Sequence, residues 1–513
     1  MRQERSFTVL VAGPSWGLRR TVSTLRLRKR LRHRETVKSA TIATLQGLFE
    51  ASLSYHDAGS MASDRMIIDL SPNPALVDQE VRIRVSGAPP EQRVRLLAWT
   101  MDDSSRRWES TADFIARSDG TIDLGADAAI DGSYRGVDPM GLFWSLALNP
   151  GDAGQHDQYL KKELTPSEFT IEASAAGVRR IARARLERHF VRPGTMIRAV
   201  DEPGLAGLLF IPSREGGGSF GIESVARLPT VITVGGSGGG LDWEIAAALA
   251  SHGFAAFALP YFGFDPLPAS LNSIPLEYFE RAIAWLGRQP EVDAGRLAIH
   301  GTSRGGELAL LLASRIPLLR AVAGIVPGNV VWQGTGRPPD DDSSGRFSGN
   351  GERSSWTHRG APLPFVPYRM SWFRIWTAAR LIAFRKPVRF VNLHRDSFKQ
   401  REVVARAAIE VEKIRAPILL VSAGADLIWP SEFMAEAIEE RLAARQFKYE
   451  VKHLRTPGAG HALRLPHTPA TTLVSKIPTF GFRFAFGGTA EATARARVLA
   501  WRETLAFFRR HLQ

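Results

Sequence analysis

The stretch RLAIHGTSRGGELALLLASR, residues 296–315, has the pattern of a buried strand, a tight turn and a helix. Its centre, Gly301-Thr302-Ser303-Arg304-Gly305, is a G-x-S-x-G motif between an apolar run and a Leu- and Ala-rich run. A sharp strand-to-helix turn needs glycine on both sides of its central residue, because a Cβ there would meet the neighbouring backbone. The motif therefore predicts Ser303 as a nucleophile above the end of a strand. The Arg304 N–H is then placed at a helix N-terminus, where it can stabilise negative charge.

Strands and helices alternate around this motif from about residue 204 to the end of the chain. The apolar runs are Thr230–Val234, Ala255–Leu259, Leu297–Ile299, Ala321–Val326 and Pro417–Val421. The helical patterns are Asp242–Ser251, Leu276–Arg288, Glu307–Arg315, Glu432–Arg445 and Glu491–His511. Strands covered on both faces are continuously apolar, and strand–helix alternation implies a mostly parallel sheet. We predict an α/β-hydrolase domain over residues 204–513, with helices on both faces of its sheet.

The preceding region, residues 63–203, has a different period. Val81, Ile83 and Val85 alternate with Arg82 and Arg84, and turn sequences separate further short apolar runs. Short alternating strands at this spacing are typical of an immunoglobulin-like β-sandwich. No group of residues here suggests catalysis, so we predict an accessory domain.

One segment of the C-terminal domain, about residues 332–398, breaks the strand–helix pattern. It is rich in Gly, Pro, Arg and aromatic residues and contains the acidic run Asp340–Asp342. Long irregular segments within a compact domain are usually functional or disordered. The segment could be a lid over the active site or a surface excursion, and the sequence favours neither.

Charge is concentrated at the start of the chain. The formal net charge is +14, and residues 1–60 carry eleven Arg and Lys against four acids, a balance of +7. We expect residues 1–62 to be a disordered basic leader. Its Arg-, Ser- and Thr-rich composition would also suit an organellar transit peptide or a tail that touches nucleic acid or membrane. The remaining surplus is mild and suits solubility, so we expect no nucleic-acid partner.

Several residue types and patterns are missing from the sequence. There is no cysteine, which excludes disulfides, zinc–thiolate sites and a cysteine nucleophile. No apolar run reaches about 18 residues, so we predict no membrane span. No His, Asp or Glu cluster has the spacing of metal ligands, so we predict neither a metal nor a cofactor.

A serine nucleophile needs a base and an acid, and this fold places them in the chain order Ser, Asp or Glu, His. Asp426 follows the late strand Pro417–Val421, and His461 lies on a Gly-rich loop after the next strand-like run. An Asp after a strand is commonly a turn residue, and the chain has twelve histidines, of which His467 is the closest alternative. Position and order predict Asp426 and His461 as the partners of Ser303.

The second Gly-rich segment, Gly235–Gly240, follows the strand Thr230–Val234. It lacks the lysine of a P-loop, and its glycines do not match the spacing of a dinucleotide-binding fingerprint. In this fold the corresponding loop supplies a second oxyanion N–H. We predict Ser237 and Gly238 as donors, together with Arg304.

These motifs resemble those of the acyl-CoA thioesterase / bile acid-CoA:amino acid N-acyltransferase family, from about Met66 to Leu512. The matching segments are YRGVDPMGL at 134–142, GSGGGL at 236–241, LEYFE at 276–280, GTSRGGEL at 301–308, WPSEF at 429–433 and PGAGH at 457–461. The resemblance implies a β-sandwich before an α/β-hydrolase domain similar to dienelactone hydrolase. It also implies a triad at Ser303, Asp426 and His461, and an acyl-CoA substrate. Within the family serine goes with hydrolysis and cysteine with transfer to amino acids, so the chain looks like a thioesterase that forms an acyl-enzyme.

Other functions stay open at this point. The same triad could serve an acyl-CoA-dependent N-acyltransferase, or a carboxylester or lactone hydrolase. A non-enzymatic protein that binds nucleic acid or membrane through its basic leader is a further alternative. We expect a cytoplasmic enzyme, or an organellar one if the leader is a transit peptide. The leader and residues 332–398 depart from the animal members of the family.

Overall fold

A computed structural model describes residues 65–152, 158–212, 227–335, 352–476 and 482–513. The predicted leader, residues 1–62, and the acidic run Asp340–Asp342 lie outside the described residues. Residues Ser63–Gln513 form one compact unit.

The N-terminal region is built from short strands that alternate buried and exposed residues. Its elements are β1 (Ile67–Ser71), β2 (Ala75–Leu76), β3 (Arg82–Ser86), β4 (Arg93–Met101), β5 (Arg107–Ile115), β6 (Ile122–Asp123), β7 (Asp131–Gly132), α1 (Gly141–Trp144), β8 (Ala147–Leu148), β9 (Ser167–Ala175) and β10 (Ala182–His189). One sheet has the order β1-β3-β6, and the other has the order β2-β10-β9-β4-β5-β7 with β8 beside β5. Both sheets contribute to one apolar core that includes Val85, Leu96 and Phe114. The predicted β-sandwich is therefore present.

The following strands form the central sheet and smaller, separate sheets. They are β11 (Met196–Ala199), β12 (Leu208–Ile211), β13 (Leu228–Val234), β14 (Ala255–Ala258), β15 (Ile274–Pro275), β16 (Val292–Thr302), β17 (Leu319–Ile325), β18 (Trp356–His358), β19 (Ala361–Pro362), β20 (Ile418–Ala423), β21 (Val451–Thr456), β22 (Val474–Lys476) and β23 (Arg483–Ala485). The sheet order is β11-β12-β14-β13-β16-β17-β20-β21. All strands from β14 onward in that order pair in parallel, whereas β12 is antiparallel to both its neighbours. Strand β11 precedes residue 204, where sequence periodicity changes, yet it belongs to this sheet.

Helices cover both faces of the central sheet. The helices of this region are α2 (Trp243–Ser251), α3 (Glu277–Gly287), α4 (Arg304–Ala313), α5 (Trp372–Ala383), α6 (Val391–Ser397), α7 (Arg401–Ala407), α8 (Ser431–Ala444) and α9 (Ala490–Leu512). Helices α3, α4 and α8 share one apolar core, and α2 and α9 share the other. Neighbouring residues of β13 enter opposite cores, Ile232 one and Val231 the other. Burial on both faces explains why these strands are continuously apolar. The α/β-hydrolase fold class is confirmed.

The segment that broke the sequence pattern is ordered where the structure describes it. Residues 352–398 contain β18, β19, α5 and α6, and β18 pairs in parallel with β15. Helix α5 has no buried residue, which explains why its apolar positions gave no recognisable core-facing pattern.

A buried arginine joins the sandwich to the α/β domain. The Arg188 guanidinium donates to the backbone oxygens of His467, at 3.0 Å, and Leu76, at 3.3 Å, and stacks over the ring of Phe143, at 4.9 Å. Burial lowers the Arg188 pKa to about 10. Carbonyl oxygens and the aromatic face offset part of the desolvation cost of this cation.

Candidate active site

Ser303 sits at the sharp turn between β16 and α4. Its backbone dihedrals are φ 59° and ψ −118°, a region that residues with a side chain rarely occupy. The Ser303 N–H donates to the Ile325 carbonyl of the adjacent strand at 2.8 Å, which holds the turn in register. A Cβ at Gly301 would lie 1.9 Å from the Gly305 oxygen, and one at Gly305 would lie 2.3 Å from the Val234 oxygen. Both glycines are therefore required for the turn.

The imidazole of His461 bridges the predicted nucleophile and acid. His461 Nε2 lies 2.9 Å from Ser303 Oγ, and His461 Nδ1 lies 2.7 Å from Asp426 Oδ2. All three residues are buried, with 6–8% of their surface exposed. When the carboxylate accepts a hydrogen bond from the Nδ1–H group, the Nε2 lone pair faces the hydroxyl. The three predicted residues are thus together, in the geometry of a general base next to a serine.

Asp426 and His461 are held by the backbone around them. Asp426 Oδ1 accepts N–H bonds from Ile428, at 2.8 Å, and Trp429, at 3.2 Å. The His461 N–H donates to the Phe486 carbonyl at 3.0 Å. The indole of Trp429 packs edge-on against the imidazole, with ring centroids 5.9 Å apart. This support keeps the imidazole aligned without using the Asp426 oxygen that it binds.

The Gly-rich loop after β13 approaches the nucleophile through Gly236. A Cβ on Gly236 would lie 3.3 Å from Ser303 Cβ and 3.7 Å from Ser303 Oγ, whereas a Cβ on Gly238 would have no neighbour within 4 Å. The loop therefore lies beside Ser303, as expected. Gly236 makes this approach, and it was not among the residues predicted for the site. Its signal was its position, two residues beyond the end of β13. The roles of Ser237, Gly238 and Arg304 as oxyanion donors stay predictions.

The side chain of Arg304 is buried in a charged pair that the sequence did not suggest. Its Nη1 lies 2.7 Å from Glu307 Oε2, and its Nη2 donates to the Ser355 hydroxyl. Glu307 Oε1 accepts the indole N–H of Trp356 at 2.9 Å and the backbone N–H of Trp332 at 3.3 Å. Burial raises the Glu307 pKa to about 7, although Arg304 and these donors oppose the shift. The pair joins α4, which begins next to Ser303, to Trp332, Ser355 and Trp356.

The same segment reaches the other side of the site through aromatic contacts. The His394 ring lies 4.7 Å from the Trp332 ring and 5.8 Å from the Trp429 ring, which itself contacts His461. Burial lowers the His394 pKa to about 3, so this imidazole is neutral at physiological pH. Trp332 and His394 are thus part of the packing around the site.

The alternative base, His467, takes part in a different set of contacts. It is buried, its carbonyl accepts the Arg188 bond described above, and burial lowers its pKa to about 3. It therefore belongs to the contact between the two domains.

A second Ser–His–acid array lies in the same sheet. Ser422 Oγ is 2.7 Å from His453 Nε2, and His453 Nδ1 is 2.7 Å from Glu439 Oε2. Ser422 has no exposed surface and lies within β20, whereas Ser303 lies at the turn between β16 and α4. No substrate carbonyl could reach its hydroxyl, so the turn and the Gly-rich loop distinguish Ser303 from this structural array. Ser422 offers a matched control for mutations at the site.

The described ranges between residues 65 and 513 lack the features of a metal site and of a helical membrane span. They contain no group of three or more His, Cys, Asp or Glu residues arranged to hold a metal ion. Within these ranges no helix combines the length and apolar character that crossing a bilayer requires.

Comparison with known proteins places this α/β-hydrolase site in a family. Residues 78–202 match the model of the acyl-CoA thioester hydrolase/BAAT N-terminal region, and residues 274–513 match that of the BAAT / acyl-CoA thioester hydrolase C terminal. The chain is 30% identical over 441 residues to the mouse peroxisomal succinyl-coenzyme A thioesterase, covering 85% of this chain and 94% of that protein. It is 31% identical over 452 residues to mouse acyl-coenzyme A amino acid N-acyltransferase 1, covering 86% and 97%. The chain belongs to the acyl-CoA thioesterase / bile acid-CoA:amino acid N-acyltransferase family, which confirms the resemblance seen in the sequence.

Solved structures give a more distant likeness. A dienelactone hydrolase-like promiscuous phosphotriesterase from metagenomic libraries is 17% identical with a TM-score of 0.34, covering 62% of this chain and 99% of that chain. A puromycin-hydrolyzing peptidase from Mycobacterium tuberculosis is 13% identical with a TM-score of 0.39, covering 86% and 67%.

Proposed function

We propose that the protein hydrolyses acyl-CoA thioesters through an acyl-enzyme on Ser303. The observation that carries the proposal is the bridge of His461 between Ser303 and Asp426, at 2.9 Å and 2.7 Å. Membership of a family that contains acyl-CoA thioesterases supports the substrate class.

In the first half-reaction the Ser303 Oγ attacks the thioester carbonyl carbon while its proton passes to His461 Nε2. The carbonyl oxygen becomes an oxyanion beside the Gly235–Gly240 loop and the N-terminus of α4, where backbone N–H groups can stabilise it. The C–S bond then breaks, and the CoA sulfur takes the proton from His461 as it leaves. The acyl group remains bound to Ser303 as an ester.

In the second half-reaction water attacks the ester carbonyl and gives a proton to His461. Collapse of the second oxyanion breaks the bond to Ser303 Oγ, which recovers the proton from His461. Asp426 stabilises the imidazolium in both halves and keeps the Nδ1 proton in place. Free acid leaves, and the resting enzyme is restored.

Transfer of the acyl group to an amino acid is the second candidate. A relative with 31% identity is an N-acyltransferase, so an amine could replace water in the second half-reaction. The family pattern of serine with hydrolysis favours water, because this chain has Ser303 and no cysteine. Oxygen esters and lactones would enter by the same first step, so substrate preference needs its own measurement.

The test is the rate of CoA release from an acyl-CoA panel by the wild type, Ser303→Ala and Ser422→Ala. Loss of the nucleophile should lower kcat by about 10⁴-fold or more, whereas the buried control should retain activity. Adding glycine or taurine and analysing the acyl product separates hydrolysis from transfer. Comparable loss of activity in both variants, or a large preference for oxygen esters, would contradict the proposal.

A further inference from the structure

Helix α5 carries an apolar surface that the protein leaves open. Six large apolar side chains on and next to this helix are 43–81% exposed: Trp372, Phe373, Ile375, Trp376, Ile382 and Phe384. We define the α5 stripe as the exposed positions Trp372, Ile375, Trp376, Ala379, Ile382 and Ala383. Their spacing of three and four residues places them on one side of a helix. Clustered exposed aromatic residues of this kind usually mark an interaction surface.

The opposite side of α5 is the side that packs on the protein. Arg374, Thr377, Ala378 and Leu381 are the partly buried positions, and they have the same helical spacing. Arg374 Nε pairs with Asp396 Oδ2 of α6 at 2.7 Å, which ties the helix to the domain. Because α5 is fixed by this side, the α5 stripe points away from the protein.

The sequence around the α5 stripe is strongly basic, although Asp396 pairs with Arg374 on the packed side of the helix. From residue 353 to residue 395 the sequence contains nine Arg and Lys and no Asp or Glu. The Arg380 guanidinium lies 5.7 Å from the Trp376 ring and 5.9 Å from the Phe384 ring, so a cation stays at the apolar surface. Arg385, Lys386 and Arg389 follow on exposed positions. Aromatic residues on one side and a rim of cations are the features of a helix that lies in a lipid–water interface.

Other occupants of this surface fit its charge and size less well. A second copy of the chain brings a net charge of +14, and residues 1–60 bring +7. Both are therefore repelled by the cations around the α5 stripe. Residues 336–351 lie outside the described residues and include Asp340–Asp342, but their only large apolar residue is Phe347. One phenylalanine cannot cover six large apolar side chains.

We propose that α5 docks the protein on an anionic phospholipid surface, with the α5 stripe entering the headgroup region and the cations binding phosphates. Helices of this type penetrate about 5–10 Å and do not span the bilayer. The aromatic residues of the α5 stripe suit the interface, and the cations around the stripe suit anionic lipid. Binding therefore requires both groups of residues, and it weakens as salt screens the charges. The proposal stands on the surface of α5 and is independent of the proposed function.

The first test is sedimentation of the full chain with vesicles of phosphatidylcholine, alone or mixed with phosphatidylglycerol. We expect binding to the mixed vesicles that falls about 10-fold or more in Trp372→Ser/Ile375→Ser/Trp376→Ser, since the inserted side chains are removed. The matched control is Ile67→Ser/Val137→Ser/Leu499→Ser, which changes three apolar residues elsewhere that are 50–54% exposed. Wild-type-like binding by the α5 variant, or equal binding to both vesicle types at low salt, would overturn the proposal.

A site-specific probe separates α5 from the basic leader, which could also bind anionic lipid. Because the chain has no cysteine, Ala379→Cys places a single polarity-sensitive fluorophore on the α5 stripe, and Val137→Cys places one on the sandwich. Mixed vesicles should shift the emission of the first label to shorter wavelength and leave the second unchanged. No shift at position 379, or a concentration-dependent dimer that the serine variant abolishes, would show that lipid is not the partner.

Discussion

The buried Arg304–Glu307 pair makes a quantitative prediction about stability. In Glu307→Gln the amide oxygen can still accept the Trp356 indole N–H, but the titratable proton is gone. Burial raises the pKa of the native glutamic acid to about 7 from a reference value of 4.5. The variant therefore isolates the effect of that proton on folding.

The sign follows from which state holds more protons. Between pH 4.5 and about 7 native Glu307 keeps its proton while the unfolded residue has lost it, so the free energy of unfolding falls as pH rises. Below that window both states are protonated, and above it both are ionised. The difference between these two pKa values corresponds to a total loss of about 3 kcal/mol, since each pH unit is worth about 1.36 kcal/mol. Effects of the substitution that do not change with pH add only a constant offset.

The assay is denaturant unfolding of the wild type and Glu307→Gln at a series of pH values from 4 to about 8, the range that spans both pKa values. The wild-type stability minus the variant stability should fall by about 3 kcal/mol across the series. Glu280→Gln, which removes an exposed carboxylate on α3, provides the control. A difference that is flat, or that rises with pH, would refute the reasoning, because it would mean that Arg304 keeps the carboxylate ionised in the fold.

Three other substitutions test separate parts of the account. Asp426→Asn should lower kcat by about 10⁴-fold with little change in folding, because the imidazole loses its preferred tautomer; near-normal kcat would remove Asp426 from the triad. Gly236→Ala should lower kcat by about 10-fold or more, because the added methyl group crowds the Ser303 side chain. Gly238→Ala, the control, should change kcat by less than about 3-fold. Equal effects would contradict the placement of the loop. Arg188→Leu should lower the free energy of unfolding by about 3 kcal/mol, because buried carbonyl oxygens lose their hydrogen-bond donor. Denaturant unfolding measures this change. Unchanged stability would mean that this contact does not join the domains.

The fold and the closeness of Ser303, Asp426 and His461 could be predicted from the sequence because both depend on local rules. Gly301 and Gly305 are needed for one turn, and continuous apolar runs such as Thr230–Val234 indicate strands covered on both faces. Chain order then selected Asp426 and His461. These constraints lie within short stretches of sequence, so one chain is enough to see them.

The features that were missed depend on contacts between distant segments. Arg304 and Glu307 are spaced like a surface ion pair of a helix, yet both are buried. Their contacts with Trp332, Ser355 and Trp356 come from a segment that is distant in the sequence. Gly236 is distinguished from Gly238 by its distance from Ser303, which spacing along the chain does not reveal. The apolar residues of α5 face outward, so the usual link between periodicity and burial failed there.

The most direct test of the account is the chemical identity of the covalent intermediate. The enzyme is mixed with a long-chain acyl-CoA, quenched in acid on the millisecond scale and digested, and the peptide masses are measured. The account predicts one acyl group on the peptide that contains Ser303, present in Ser422→Ala and absent in Ser303→Ala. An acyl group on another residue, or turnover by Ser303→Ala close to that of the wild type, would contradict it.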